Sequence, residues 1–159
     1  MRHALAALLL MVSGCQGDPN VDFYTTAKPE RNDLVGRYFL KSQTAQPGGL
    51  AVLRDRPSII ELRDDGTFTA TNVPARESDP GDEKFFSTLV ACSGTWQIDV
   101  IGAIANAGGP PKQQWGVEFS SEECEVRPVA LTGSAAPFGL MISLGDPDAG
   151  RVMVFERER

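Results

Sequence analysis

Histidine is almost missing from this chain. His3 is the only one, and it lies in the N-terminal apolar segment. Ser-His-Asp and Cys-His catalysis use imidazole as the base, and most zinc sites use it as a ligand, so the rest of the chain is barred from those chemistries. Long hydrophobic runs are missing too. The longest at the N-terminus, Ala4 to Val12, covers about nine residues, whereas a bilayer-crossing helix needs roughly 20. Positive charge is scarce: 15 Lys and Arg stand against 21 Asp and Glu, for a net charge of −6. An acidic chain is repelled by phosphate backbones and by anionic headgroups, so a nucleic-acid partner is not expected. There are three cysteines, Cys15, Cys92 and Cys124. Beyond a turn or two, no segment repeats its apolar residues at the helical period, and no nucleophile or cofactor motif stands out. An enzyme and a bound cofactor are therefore not expected.

What is present begins at the N-terminus. Arg2 and His3 give a short positive start, the apolar run follows, and the small residues Ser13 and Gly14 precede Cys15. Charge, apolar core and small residues in that order make a secretory signal. The stretch Val12-Ser13-Gly14-Cys15 resembles the lipobox of bacterial lipoproteins, with Val12 where leucine is usual. The resemblance implies cleavage before Cys15 and a diacylglyceryl group, with palmitate-type chains, on its sulfur. Two acyl chains on one residue hold a membrane firmly, where one is marginal. Gln16 follows the cysteine. In Gram-negative lipoproteins an Asp there favours the inner membrane, so the expected place is the outer membrane, facing the periplasm. Without residues 1–14 the chain loses one arginine and no acid, and its charge becomes −7.

With Cys15 lipidated, Cys92 and Cys124 remain as a pair. In an oxidising envelope such a pair reads as a disulfide, the alternative being two separate buried thiols. The expected organisation is a signal peptide over 1–14, the lipidated cysteine and a tether over 15–33, and one domain over 34–159. As a flexible coil the tether would span roughly 25 Å. Phe23-Tyr24 has the character to fold against the domain instead.

From Leu34 onward the pattern has a period of two. Gly36, Tyr38 and Leu40 alternate with Arg37 and Lys41; Ile60 and Leu62 alternate with Glu61 and Arg63. Asp64-Asp65-Gly66 is a hairpin turn leading to Phe68. Cys92, Gly94, Trp96 and Ile98 alternate with Ser93, Thr95 and Gln97, and Trp115, Val117 and Phe119 with Gln114 and Glu118. Val126 to Leu131 reads as a weak strand disturbed by Pro128. Phe138 to Leu144 and Arg151 to Phe155 follow. Gly102 to Pro111 reads as a small-residue loop, and the final Glu156-Arg157-Glu158-Arg159 as a solvated end. About eight short strands predict an all-β fold, an antiparallel up-and-down β-barrel, with a two-sheet sandwich as the alternative. The order Gly36-x-Tyr38-x-Leu40, Asp65-Gly66-Thr67-Phe68, Gly94-Thr95-Trp96 resembles the small lipocalin-like barrels, in which an aromatic near the first strand plugs one end.

Candidate sites are few. Asp146-Pro147-Asp148-Ala149-Gly150 spaces two acids as calcium loops do, but lacks the remaining ligands and fits a turn. Glu77, Asp79, Asp82 and Glu83 form a charged loop, and Glu122, Glu123 and Glu125 flank Cys124; no metal site is expected from either. Tyr38, Phe68, Trp96, Trp115, Phe119 and Phe138 either line a pocket for a small apolar ligand or fill the interior. A ligand-binding module would have Leu50 to Leu53 as a lid. A protein-interaction or inhibitor module of the envelope would have a filled interior and a functional loop, Ala75 to Lys84 or Gly102 to Pro111.

Overall fold

The computed structural model describes residues 18–44, 56–74, 89–106, 108–122, 124, 128–144, 148 and 150–158. The lipobox, the Leu50–Leu53 stretch and the loop from Ala75 to Lys84 lie outside them, as do Asp146 of the Asp146–Gly150 turn and Glu123 and Glu125 beside Cys124.

Eight strands make one closed ring: β1 (Gly36–Gln43), β2 (Ile59–Leu62), β3 (Thr67–Pro74), β4 (Leu89–Asn106), β5 (Gly109–Ser120), β6 (Val129–Thr132), β7 (Gly139–Ser143) and β8 (Val152–Arg157). Each is antiparallel to its neighbours in sequence, and β1 pairs with β8 (Leu40 opposite Phe155) to close the barrel. The expected up-and-down order holds. Closure removes the free edges that invite aggregation from the body of the ring.

The two-residue alternation becomes inside and outside. On β4, Cys92 and Trp96 are buried while Ser93, Thr95, Gln97 and Asp99 are exposed. On β3 the inward set runs Phe68, Ala70 and then Val73, because the register shifts between Ala70 and Val73. Asn72 takes up the extra residue at φ 54°, a left-handed conformation that asparagine tolerates better than most residues. The Asp64–Gly66 turn forms as expected. Gly66 has φ +84°, and the Asp65 carboxylate accepts from the Thr67 amide and hydroxyl. Those two bonds hold the Asp65 carboxyl below the usual carboxylate range.

Cys92 on β4 and Cys124 after β5 form a disulfide, with Cα atoms 6.0 Å apart. Both residues are buried and belong to the interior cluster.

Two expectations are corrected and a third is refined. Gly102 to Pro111 is not a loop: β4 and β5 continue through it as a hairpin arm, paired from Val100–Trp115 out to Asn106–Gly109. The C-terminal charges are solvated as expected, with Glu156 and Glu158 exposed, but the backbone there is tied to the barrel. Arg157 is the last residue of β8 and donates to the Asp33 carbonyl at 3.0 Å, and the Glu158 amide bonds the Arg37 carbonyl at 2.8 Å. Leu34 is not in the first strand but ends a one-turn helix, α1 (Arg31–Leu34), where it is fully buried.

The alternative noted for Phe23-Tyr24 is the one observed. Residues 18–30 form a strap on the barrel rather than a free coil. β5 and β6 pair only at Gly116–Ala130 and Val117–Val129. Beyond that point the strap enters between them. The Thr25 amide donates to Leu131 O at 2.9 Å and Thr25 O accepts from Trp115 at 3.1 Å, while the Gly133 amide donates to Phe23 O at 3.2 Å. Thr25 is buried, and its hydroxyl donates to the Gly133 carbonyl. The strap also explains a pattern that alternation alone does not. Val129-Ala130-Leu131, Leu140-Met141-Ile142 and Val152-Met153 are apolar without a break. Their inward members join the interior cluster, and Ala130, Met141 and Val152 form a second cluster outside the barrel with Tyr24, Ile101 and Val154. A strand covered on both faces needs apolar residues at every position.

Candidate functional site

All six aromatics pack into or against the interior cluster of the barrel. Tyr38, Phe68, Trp96 and Phe138 are buried within the interior cluster, and Trp115 and Phe119 pack against it partly buried. Phe68 and Phe119 meet edge to face, with centroids 4.5 Å apart, a geometry worth about 0.5–1.5 kcal/mol beyond burial. The polar handles of Tyr38 and Trp96 are satisfied. The Tyr38 hydroxyl donates to Leu34 O at 2.7 Å, and Trp96 Nε1 donates to Arg63 O at 2.9 Å. Burial pushes the Tyr38 phenol up to about 12. Arg31 of α1 covers the Trp96 ring, and Lys28 of the strap stands 5.6 Å from the centroid of Trp115. Arg31 thus caps Trp96 at the α1 end of the barrel.

Outside the barrel lies a groove of about 780 Å³ between the strap and strands β6, β7, β8 and β1. Met141, Val152 and Val154 make its floor, Phe23 and Tyr24 one wall, and Lys41, Ser42 and Glu156 the opposite rim. Asn20 lines it too, and its side-chain nitrogen is buried with no hydrogen-bond partner. The Tyr24 hydroxyl donates to the Asp18 carboxylate, and burial together with that bond raises the Tyr24 phenol well above its usual range. The groove was not legible from alternation, because one wall is the strap. The unbroken apolar stretches of β6 to β8 were the signal that something covers their outer face.

The third feature is the arm. From Val100 to Pro111 there is no charged residue. The arm's strands pair with each other beyond the point where β3 and β6 have ended. On the β4 side the Val100 amide bonds the side chain of Asp99 at 2.7 Å rather than a strand. On the β5 side Pro110 and Pro111 offer no N–H, which blunts that edge.

Among the described residues no three acidic or cysteine side chains converge on a point that would hold a metal. Ion pairs such as Arg63–Glu61 at 3.1 Å and Arg37–Glu158 at 3.7 Å are solvent-exposed, and such pairs contribute about 0–1 kcal/mol. No helix among the described residues is long and apolar enough to cross a membrane. No family model matches the chain, and no curated protein and no solved structure is similar enough to it to count as a match.

Proposed function

We propose that this chain is a lipid-anchored protein of the bacterial envelope, held at the outer membrane through Cys15, whose barrel is a rigid scaffold that works by binding another envelope protein. The observation that carries this reading is the placement of the aromatics. Tyr38, Phe68, Trp96 and Phe138 are spent on filling the interior, where a ligand carrier would leave space among them. What the barrel offers to a partner is on its outside, above all the arm. The unblunted β4 edge of that arm, with Val100 and Ile104 and no charge beyond Asp99, suits the addition of an extended segment of a partner as a further strand. Activity as an enzyme forms no part of the proposal.

Photocrosslinking from the arm in intact envelopes tests it. A crosslinker at Ala103 should give one discrete protein adduct, and a proline at Ile98 should abolish it while the barrel stays folded. Diffuse or absent crosslinking from a folded protein would sink the reading. A second reading, the binding of a small apolar ligand, draws support from the outer groove. Its apolar floor and the unpartnered Asn20 nitrogen suit a molecule with an apolar body and one hydrogen-bond acceptor.

A further inference from the structure

Three large hydrophobic residues are conspicuously exposed among the described residues: Val21, Phe23 and Val100. Two of them, Val21 at 38% and Phe23 at 60%, belong to one short 3-10 turn, Val21–Phe23. The third is at the arm. Exposing two such side chains side by side on a three-residue turn brings no gain in folding, since burial of each would favour the folded state.

The position of that turn relative to Cys15 is constrained by the chain. Asp18 is fixed to the strap: its carboxylate accepts from the Tyr24 hydroxyl and from the Asn20 amide at 2.8 Å, and its carbonyl accepts from the Val21 amide at 3.2 Å. Pro19 packs on Gly150 so closely that a Cβ there would lie 2.7 Å from its ring. Only Gln16 and Gly17 separate Asp18 from Cys15. Three residue steps reach at most about 11 Å. A domain fixed so near its anchor has no room to float free of the headgroups, and the side it turns to the bilayer is the side that bears the strap.

We propose that the Val21–Phe23 turn is a membrane-contacting wedge that inserts Val21 and Phe23 into the interface beside the lipid and thereby sets the orientation of the barrel. The occupant of this surface is the lipid bilayer itself. The inference rests on the lipid anchor of the proposed function. The contact is apolar in nature: Asp22 between the two side chains, and the net acidity of the chain, give anionic headgroups nothing to attract.

The test uses the full lipidated protein, purified from envelopes and reconstituted into vesicles of phosphatidylcholine and phosphatidylglycerol that carry a spin-labelled quencher on the acyl chains. A bimane fluorophore is placed at Asp22→Cys in one sample and at Gln113→Cys, on the arm, in another. Interfacial side chains sit about 5–10 Å into the headgroup and acyl boundary, so quenching at residue 22 should exceed that at residue 113 roughly threefold. Val21→Ser with Phe23→Ser should bring residue 22 down to the arm's level while the protein still floats with the vesicles. Equal quenching at the two sites in a protein that floats would overturn the wedge and leave the anchor standing. A protein that does not float at all would overturn the anchor, and the wedge with it.

Discussion

The guanidinium of Arg31 lies over the indole of Trp96, 4.8 Å from the ring centroid, and donates to the carbonyl of Asp64 at 3.1 Å. One side chain thus ties α1 to β4 and to the β2–β3 turn. A cation–π contact at an exposed site contributes about 0.5–1 kcal/mol and a hydrogen bond about 1 kcal/mol. Arg31→Ala should therefore lower stability by about 1–2 kcal/mol, seen as a lower urea midpoint with an unchanged slope. Arg31→Lys should restore only part of it, because an ammonium lacks the planar fork that stacks and donates together. No change in the Ala variant would mean that the cap is ornamental.

Gly94 faces inward on β4 where β5 comes close. A Cβ there would lie 2.0 Å from Ser120 O and 3.0 Å from a ring carbon of Phe68. The nearest obstacle is backbone, so Gly94→Ala can be accommodated only by separating two strands. A loss of about 2–4 kcal/mol is expected, the range of overpacked cores and distorted backbone. Thermal unfolding measures it, and wild-type stability in the Ala variant would contradict this packing of β4 on β5.

Much of this fold was legible in the sequence, because the barrel's strands have one dry and one wet face and alternation reports that directly. Tyr38, Trp96 and Val117 fell on the inward faces where the pattern placed them. The strap was not legible. Its bonds run from Thr25 to Leu131 and Trp115, far away in sequence, and its own residues have no period. The arm was misread because Gly102, Ala103, Ala105, Gly108 and Gly109 carry little side chain with which to mark a face. Of the candidate site, the aromatics were found and two roles were left open for them; the outer groove was missed because it needs the strap.

Tyr38 gives a pH dependence with a definite sign. Burial pushes its phenol from 10.0 up to about 12, with Arg157 opposing and Asp33 adding. Between those pH values the unfolded chain loses the proton and the folded chain keeps it. The contribution is therefore complete below pH 10 and is lost as pH rises toward 12, by roughly 1.4 kcal/mol per unit and about 2–3 kcal/mol in all. Tyr24, raised by burial and by Asp18, extends the loss to higher pH. Tyr38→Phe should cost about 1 kcal/mol at pH 8, for the bond to Leu34, yet flatten the decline between pH 10 and 12. Urea midpoints across that window decide it; an equally steep decline in the Phe variant would exclude Tyr38 as its source.

The Cys92–Cys124 bridge spans 32 residues. Closing a loop of that length removes unfolded-state entropy worth about 3–4 kcal/mol. Reduction, or Cys92→Ser with Cys124→Ser, should lower stability by about that amount and leave the strand pairing intact by circular dichroism. Alkylation without reduction should add nothing to the mass at either cysteine. Two added groups would show that the thiols are free.

The measurement that bears most directly on a barrel that works through its surface is native mass spectrometry of the protein released gently from its own envelopes. The expected spectrum shows the chain with its anchor and disulfide, alone or with a protein partner, and no other small molecule. An additional adduct of small-molecule mass, retained in Arg31→Ala and lost on mild heating, would contradict it and establish the barrel or its outer groove as a ligand carrier.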